Sequence, residues 1–370
     1  VKRVQIAHIG AGTVGGAAIE QEIALRAFWR ETLGIDVVIG AVIGSDGAIT
    51  ADRADGLSDE LLARIVADRR SGVRLAESAA NAGIALIAPV DAVRKLATFA
   101  PVIAMDAGAG TETLAADLAA LDAGGGVVLS NKAPMAMPDG SAADQLWHEA
   151  GPGGRVRYEA TVGAGLPVLS TARTLIDSGD QIIEITGTVS GTFGAIFSDL
   201  AAGNPFSVAV RTAKANGYTE PDPRDDLSGL DVARKALILA RTIGRTLDLT
   251  DITIESLVPT ELTDVTIDAF LERITLLDEP LAVRAAAAAE SDAVLKYVLS
   301  VGREGPISVG VAPVAKSTVL GALQGPENIV SFRTTRYDRY PLVVSGPGAG
   351  AAVTAAGMTA DVLALANTLA

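Results

Sequence analysis

The sequence predicts a two-domain α/β protein whose first domain is a doubly wound, mostly parallel sheet. Three observations carry that expectation. Residues 4–9, Val-Gln-Ile-Ala-His-Ile, form a strand-like run that ends directly in the turn Gly10-Ala11-Gly12-Thr13-Val14-Gly15. A helical stretch follows over residues 16–33, with Gly34 placed to close it, and residues 37–43 read as a second buried strand. Hydrophobic residues make up 49% of the chain but aromatic ones only 4%, and there are 39 glycines, so the core is aliphatic and tight turns are frequent. A chain of 370 residues is long enough for two domains and a large core.

Strand, glycine turn, helix, strand is the setting in which GxGxxG binds a dinucleotide, in the Rossmann manner. The glycines let the backbone approach a pyrophosphate, which sits on amides at the helix start. Gly10, Gly12, Thr13, Val14 and Gly15 are therefore the candidate cofactor contacts. His8, inside the strand, reads as a packed core residue. The second strand ends in Gly44-Ser45-Asp46-Gly47, where a ribose 2′ position is read. Asp46 argues for NAD, whereas Ser45 with Arg53 nearby leaves NADP open.

Residues 52–75 are charge-rich and read as an amphipathic helix, and residues 84–87 and 102–105 as further buried strands. The second of these runs into Asp106-Ala107-Gly108-Ala109-Gly110-Thr111, at the edge of the sheet where ligands gather. The next strand, residues 127–130, runs into Asn131-Lys132-Ala133-Pro134. Lys132 there is either a cofactor or substrate contact or a plain loop lysine. Gly151-Pro152-Gly153-Gly154 marks the expected boundary. It gives a nucleotide domain of residues 1–150, completed by 341–370, and a second domain of 151–340. In the second domain, residues 155–161, 182–188, 309–314 and 329–334 read as strands. The turns Val162-Gly163-Ala164-Gly165-Leu166-Pro167 and Val189-Ser190-Gly191-Thr192-Phe193 either present amides and carbonyls to a small ligand or simply connect elements.

The densest chemistry lies between Glu220 and Lys235, where sixteen positions hold five acids, two arginines and one lysine. Pro221 and Pro223 forbid a regular helix in the first half, which reads as an ordered loop. Asp225, Asp226 and Ser228 are cap-type residues before a helix over 230–245. On its wheel Val232, Ala233, Ala236, Leu239 and Ala240 share the apolar arc. Asp231 and Lys235 share the other side at i, i+4, which reads as a solvent-facing ion pair.

The formal charge of −14 repels phosphate backbones and anionic lipid, so neither nucleic acid nor a membrane surface is an expected partner. The absence of cysteine excludes disulfides, zinc thiolates and thiol nucleophiles. No uncharged apolar run reaches the roughly 18 residues of a membrane span, and no leader pattern is visible, so a soluble cytoplasmic protein is expected.

Several stretches together resemble homoserine dehydrogenase over nearly the whole chain. They are Gly10 to Gly15, Ser130-Asn131-Lys132, Tyr158 to Pro167, Ser190-Gly191-Thr192, Gly217 to Lys235, and Gly346-Pro347-Gly348-Ala349-Gly350. The resemblance implies interconversion of L-homoserine and L-aspartate 4-semialdehyde with NAD or NADP, within the threonine and methionine branch of amino-acid biosynthesis. It implies proton transfer by Lys235 and a substrate and cofactor contact by Lys132. Glu220 and Asp231 then hold the substrate, with Gly191, Thr192, Tyr218 and Asp226 around them. Ser45 and Gly350 join the cofactor contacts. Glu159 and the carbonyls of Val162, Ala164 and Leu166 match a site for a monovalent cation, usually Na+. It further implies an α+β second domain with a mostly β sheet that serves substrate binding and homodimerisation, and no C-terminal regulatory domain. Phe193-Gly194-Ala195 departs from the family, which places Asn or Ser and then Tyr there; that departure makes a pocket wall smaller.

The nearest rivals are a related oxidoreductase on another amino-acid-derived alcohol and a silent nucleotide-binding regulator. Aspartate-semialdehyde dehydrogenases need a cysteine, which this chain lacks. Enzymes on 2-hydroxy acids rely on a histidine, and His8 and His148 are poorly placed for it.

Overall fold

In the computed structural model, which describes residues 1–369, two units separate: Val1–Gly165 with Gly350–Ala370, and Leu166–Ala349. The first is built on a six-stranded sheet of order β3-β2-β1-β4-β5-β6. Its strands are β1 (Lys2–Ile9), β2 (Ile35–Gly44), β3 (Gly47–Thr50), β4 (Val102–Asp106), β5 (Gly126–Leu129) and β6 (Val156–Arg157). All ladders are parallel except the β2–β3 hairpin. From Val4 onward β1 is buried, as a strand flanked on both sides and covered by helices must be. The chain runs from β1 outward to β2 and β3, then returns to β4 on the other side. That reversal opens a crevice at the carboxyl ends of β1 and β4.

Up to Gly165 the helices of this unit are α1 (Thr13–Phe28), α2 (Asp59–Arg70), α3 (Leu75–Asn81), α4 (Pro89–Ala97), α5 (Leu114–Asp122), α6 (Lys132–Met135) and α7 (Asp144–His148). After α1 a π-type turn, Trp29–Leu33, ends at Gly34 with φ 68°, the left-handed stop expected there. His8 is fully buried and bonds Glu22 of α1 at 2.7 Å, as a core residue rather than a catalyst.

Three expectations for this unit fail. Residues 84–87 make only an isolated bridge from Ile87 to Ala48 and are half-exposed, so an apolar tetrapeptide was not enough to add a strand. Residues 155–161 do not open the second sheet: β6 is two residues long and pairs with β5, and Glu159–Thr161 is a 3-10 turn. The Gly151-Pro152-Gly153-Gly154 turn thus lies inside the first unit. The charged stretch 52–75 resolves into a loop, α2 capped by Ser58, and the start of α3.

The second unit carries a sheet of order β12-β11-β7-β9-β10-β8. Its elements run α8 (Val168–Asp177), β7 (Ile182–Thr188), α9 (Gly191–Ala201), α10 (Phe206–Ala215), α11 (Pro223–Leu227), α12 (Leu230–Thr242), β8 (Ile252–Ile254), α13 (Ile267–Arg273), α14 (Asp278–Glu290), β9 (Ala293–Gly302), β10 (Ile307–Ala315), α15 (Val319–Ala322), β11 (Asn328–Thr334) and β12 (Leu342–Gly346). The ladders are antiparallel apart from β8–β10. Helices α9, α12 and α14 pack on β9, and α12 is buried on nearly every side. The segment Leu342–Gly346, expected to return to the first domain, is instead the edge strand β12 beside β11. The return to the first unit comes later, in α16 (Ala351–Thr368), which packs on α1. No helix among the described residues is long and apolar enough to cross a membrane.

Candidate active site

In the first unit the candidate residues gather at the crevice. Gly10 has φ +83°, and a Cβ there would lie 2.9 Å from the Ala107 carbonyl oxygen, so the two loops abut only because Gly10 has no side chain. A Cβ on Gly15 would lie 1.8 Å from the Gly10 oxygen. Gly12 differs: nothing lies within 4 Å of its Cβ position, and it caps α1 without any side-chain bond. The first-turn amides of Thr13, Val14 and Gly15 therefore need an outside acceptor. Gly350, with φ +121° and no side-chain cap, starts α16 in the same open way. These residues fit a dinucleotide phosphate.

Ser45 is exposed in the β2–β3 hairpin turn. Asp46 accepts the Ala76 amide at 2.9 Å, so one of its oxygens caps α3.

Lys132 is the first residue of α6, which Asn131 caps by accepting the Ala133 amide at 3.1 Å. The Asn131 amide also reaches Asp106 Oδ2 at 3.0 Å and the Gly110 carbonyl at 2.8 Å. Asp106 further accepts the Thr113 hydroxyl at 2.7 Å and the Gly108 amide at 2.8 Å. One buried carboxylate thus joins the loops after β4 and β5 and sets the position of the Lys132 backbone. Burial pushes Asp106 upward, against those hydrogen bonds. Its neighbour Asp117 is pushed well above the carboxylate range by burial and then by the charge of Asp106.

Among the cation candidates, Glu159 lies in the 3-10 turn, with its amide held by Asp361 of α16 at 2.9 Å. Val162 and Ala164 are buried, and Ala164 takes φ 56°, a left-handed conformation that a non-glycine residue adopts at a cost of order 1 kcal/mol. The Leu166 carbonyl accepts the Val168 amide at 2.8 Å. Neutral carbonyls and a carboxylate are donor types that suit a hard monovalent cation.

In the second unit, Lys235 is only 9% exposed. Its Nζ donates to the Val189 carbonyl at 2.7 Å and lies 2.7 Å from Asp231 Oδ2. The expected i, i+4 pair exists, but it is not solvent-facing. The lysine end is buried, and the Val189 carbonyl that accepts from it lies one residue beyond β7. Tyr218, Glu220, Thr192 and Asp226 form one cluster: the Thr192 hydroxyl lies 2.6 Å from the Tyr218 carbonyl and 2.8 Å from Asp226 Oδ1, and the Glu220 amide donates to Asp226 Oδ2 at 2.8 Å. Gly191 starts α9 behind Ser190, whose hydroxyl accepts the Phe193 amide at 3.3 Å.

The acidic loop is less loop-like than expected. Asp222 caps α11, and Pro223 sits at its first position, where a missing N–H costs nothing. Arg224 anchors it, pairing with Asp222 at 2.6 Å and donating to the carbonyls of Leu262, Thr263 and Val265. Of the expected pocket wall Phe193-Gly194-Ala195, Ala195 lines a cleft with Ser198, Asp199 and Tyr218, whereas Phe193 turns inward. It is 2% exposed and stacks on Tyr297, ring centroids 3.8 Å apart. Asp106, Asp117, Arg224 and the Val189 carbonyl are functional candidates that residue types alone did not single out. Only Asp106 carried a signal, its place at the carboxyl end of a buried strand.

The family described as homoserine dehydrogenase matches residues 167–363, just over half of the chain. The homoserine dehydrogenase of Emericella nidulans is 44% identical over 220 residues, 56% of this chain and 60% of that protein. A bifunctional chloroplastic aspartokinase/homoserine dehydrogenase of Arabidopsis thaliana is 48% identical over 216 residues, 57% of this chain but 23% of its own length. The matched region is thus less than two thirds of each of these relatives. Among solved structures, a Candida auris protein of unknown function superposes with a TM-score of 0.84 at 31% identity, covering 99% of both chains. A hyperthermophilic archaeal homoserine dehydrogenase in complex with NADPH shares the fold, with a TM-score of 0.70 at 23% identity over 97% of this chain and 96% of that one.

Proposed function

The chain belongs to the homoserine dehydrogenase family, and on that premise we propose that it interconverts L-homoserine and L-aspartate 4-semialdehyde with a nicotinamide dinucleotide. The observation that carries this reading is the buried Lys235 ammonium, held between the Val189 carbonyl and Asp231. When bound, the nicotinamide supplies or accepts the hydride. As the aldehyde oxygen gains charge it needs a proton, and Lys235 donates it; in the oxidative direction Lys235 accepts the hydroxyl proton. Asp231 keeps the ammonium in place and contacts the substrate oxygen. Glu220 and Asp226 receive the substrate ammonium, and the amides at Gly191 and Thr192 its carboxylate.

The amides of Thr13, Val14 and Gly15, with Gly10, Gly12, Ser45 and Gly350, hold the dinucleotide, and Lys132 contacts it and the substrate. NADP(H) is the preferred cofactor in this reading. One oxygen of Asp46 is committed to α3, and the archaeal relative is described with NADPH. Glu159 with the carbonyls of Val162, Ala164 and Leu166 holds Na+. The protein acts as a homodimer, which light scattering on the purified chain would test.

Homoserine oxidation followed at about 340 nm with NADP and then NAD tests the activity. Turnover with homoserine and a higher kcat/KM for NADP are expected. Silence with both cofactors at saturating homoserine would refute the reading.

A further inference from the structure

Hydrogen-bond bookkeeping around Asp226 locates a proton. A threonine hydroxyl carries one proton, and a backbone carbonyl carries none. The Thr192 oxygen faces two oxygens at bonding distance, Tyr218 O at 2.6 Å and Asp226 Oδ1 at 2.8 Å. The carbonyl can only accept, so the shorter contact takes the Thr192 proton. Two oxygens 2.8 Å apart with no proton between them repel, and the Thr192 proton can be shared with the second contact only at the expense of the first. The remaining source is the carboxyl itself. Asp226 Oδ2 accepts the Glu220 amide, which leaves Oδ1 as the oxygen that carries the proton.

We infer that Asp226 is a neutral carboxylic acid in the substrate-free protein, donating to Thr192 to clamp the loop from Tyr218 to Asp226 onto α9, and that it releases this proton when a primary ammonium group binds. The second half rests on the proposed function; the first does not.

The surroundings agree. Burial raises the pKa of Asp226 and the carboxylates of Glu220 and Asp231 raise it further, against the Glu220 amide and against whatever share of the Thr192 proton reaches it. The nearby cations are engaged elsewhere. Arg224 on the same helix pairs with Asp222, Lys214 of α10 donates to the Pro221 carbonyl at 2.6 Å, and Lys235 of α12 pairs with Asp231. Asp225, the other acid of α11, is exposed and adds no cation. An incoming ammonium brings the missing positive charge. The O–H bond of Asp226 then breaks, the proton leaves to solvent, and the carboxylate pairs with the substrate nitrogen. Asp226 is in this sense a positioning residue that becomes a binding one.

The test compares wild type with Asp226→Asn without substrate. The asparagine amide can donate to Thr192 while its oxygen accepts the Glu220 amide, which reproduces the neutral acid. A carboxyl with a raised folded-state pKa contributes stability that is present at acid pH and lost as pH rises through that value. The variant should therefore match wild type in Tm near about pH 5 and exceed it by about 2–4 °C near about pH 9. A variant less stable than wild type at neutral and alkaline pH overturns the inference. Carbon-13 NMR of aspartate-labelled wild type reads the group directly, whether or not the variant folds. A titration midpoint above the ordinary carboxylate range is expected for Asp226, and one within or below it sinks the clamp. Calorimetric titration with homoserine near about pH 6, in two buffers of different ionisation enthalpy, should show release of up to about one proton in wild type and none in Asp226→Asn. Binding without proton release overturns the second half. No binding at all refutes the proposed function and leaves the clamp to the first two measurements.

Discussion

The Lys235 ammonium lies 2.7 Å from the Asp231 carboxylate one turn earlier in the same helix, and 2.7 Å from the Val189 carbonyl at the end of a strand 46 residues upstream. Only the first contact is local. The pair is asymmetric: the Lys235 side chain is 11% exposed and that of Asp231 45%. A buried ammonium thus sits beside an accessible carboxylate.

Lys235→Ala should lower kcat by about 10²–10⁴-fold while the dissociation constant for NADP changes little. Fluorescence titration of the cofactor alongside steady-state kinetics separates the two. A variant that retained near-wild-type kcat would reduce the pair to a structural ion bridge.

Gly12 and Gly15 should part company on substitution. A Cβ at Gly12 enters open space at φ −74°, so Gly12→Ala should fold with an unchanged Tm yet weaken NADP binding, since the methyl occupies the phosphate approach. A Cβ at Gly15 meets the Gly10 carbonyl oxygen at 1.8 Å, so Gly15→Ala should cost about 1–3 kcal/mol or more of stability as the turn shifts. Equal losses of stability in the two variants would contradict this division.

Asp117 makes stability fall as pH rises above the ordinary carboxylate range. Its carboxyl is held well above the ordinary range by burial and by Asp106, so it is neutral in the fold when an unfolded chain would ionise it. Such a group contributes stability that is full below the unfolded pKa and is lost as pH rises through the folded one. Asp117→Asn keeps a neutral side chain of the same shape and should flatten that loss in denaturant-melt profiles. Parallel profiles for the two proteins would show that Asp117 ionises freely.

The glycine turn, its strand and helix, and the spacing of Asp231 and Lys235 were legible because they are local. Left-handed glycines and an i, i+4 offset are properties of a few consecutive residues. What was not legible depends on partners far along the chain. The second hydrogen bond of Lys235 needs Val189, and the anchoring of the acidic loop needs Arg224 to reach carbonyls 38 to 41 residues away. The same reason hid Leu342–Gly346, whose apolar residues suit either sheet until β11 offers an edge. Residues 84–87 misled in the opposite sense, since a short apolar run near a glycine fits a strand but finds only one bridging partner.

Phe193 brings the substrate into question, because the resemblance to the family leads one to expect a smaller polar residue there. Its ring is buried, stacked on Tyr297 at 3.8 Å with an interplanar angle of 10°, and tilted against Phe197 at 6.2 Å. The Tyr297 hydroxyl in turn donates to the Glu255 carbonyl at 2.8 Å and fills the space beside Gly229, where a Cβ would lie 2.0 Å from it. Gly229, with φ 74°, is the residue that starts α12. The aromatic stack therefore supports the helix that carries Asp231 and Lys235, and an indirect effect on turnover is expected. Phe193→Ala should cost about 3–5 kcal/mol by emptying the stack, so Phe193→Leu is the milder probe. In Phe193→Leu the Tm should drop while the ratio of kcat/KM for homoserine to that for other amino alcohols stays at the wild-type value. A changed ratio with an unchanged Tm would place Phe193 on the pocket wall after all.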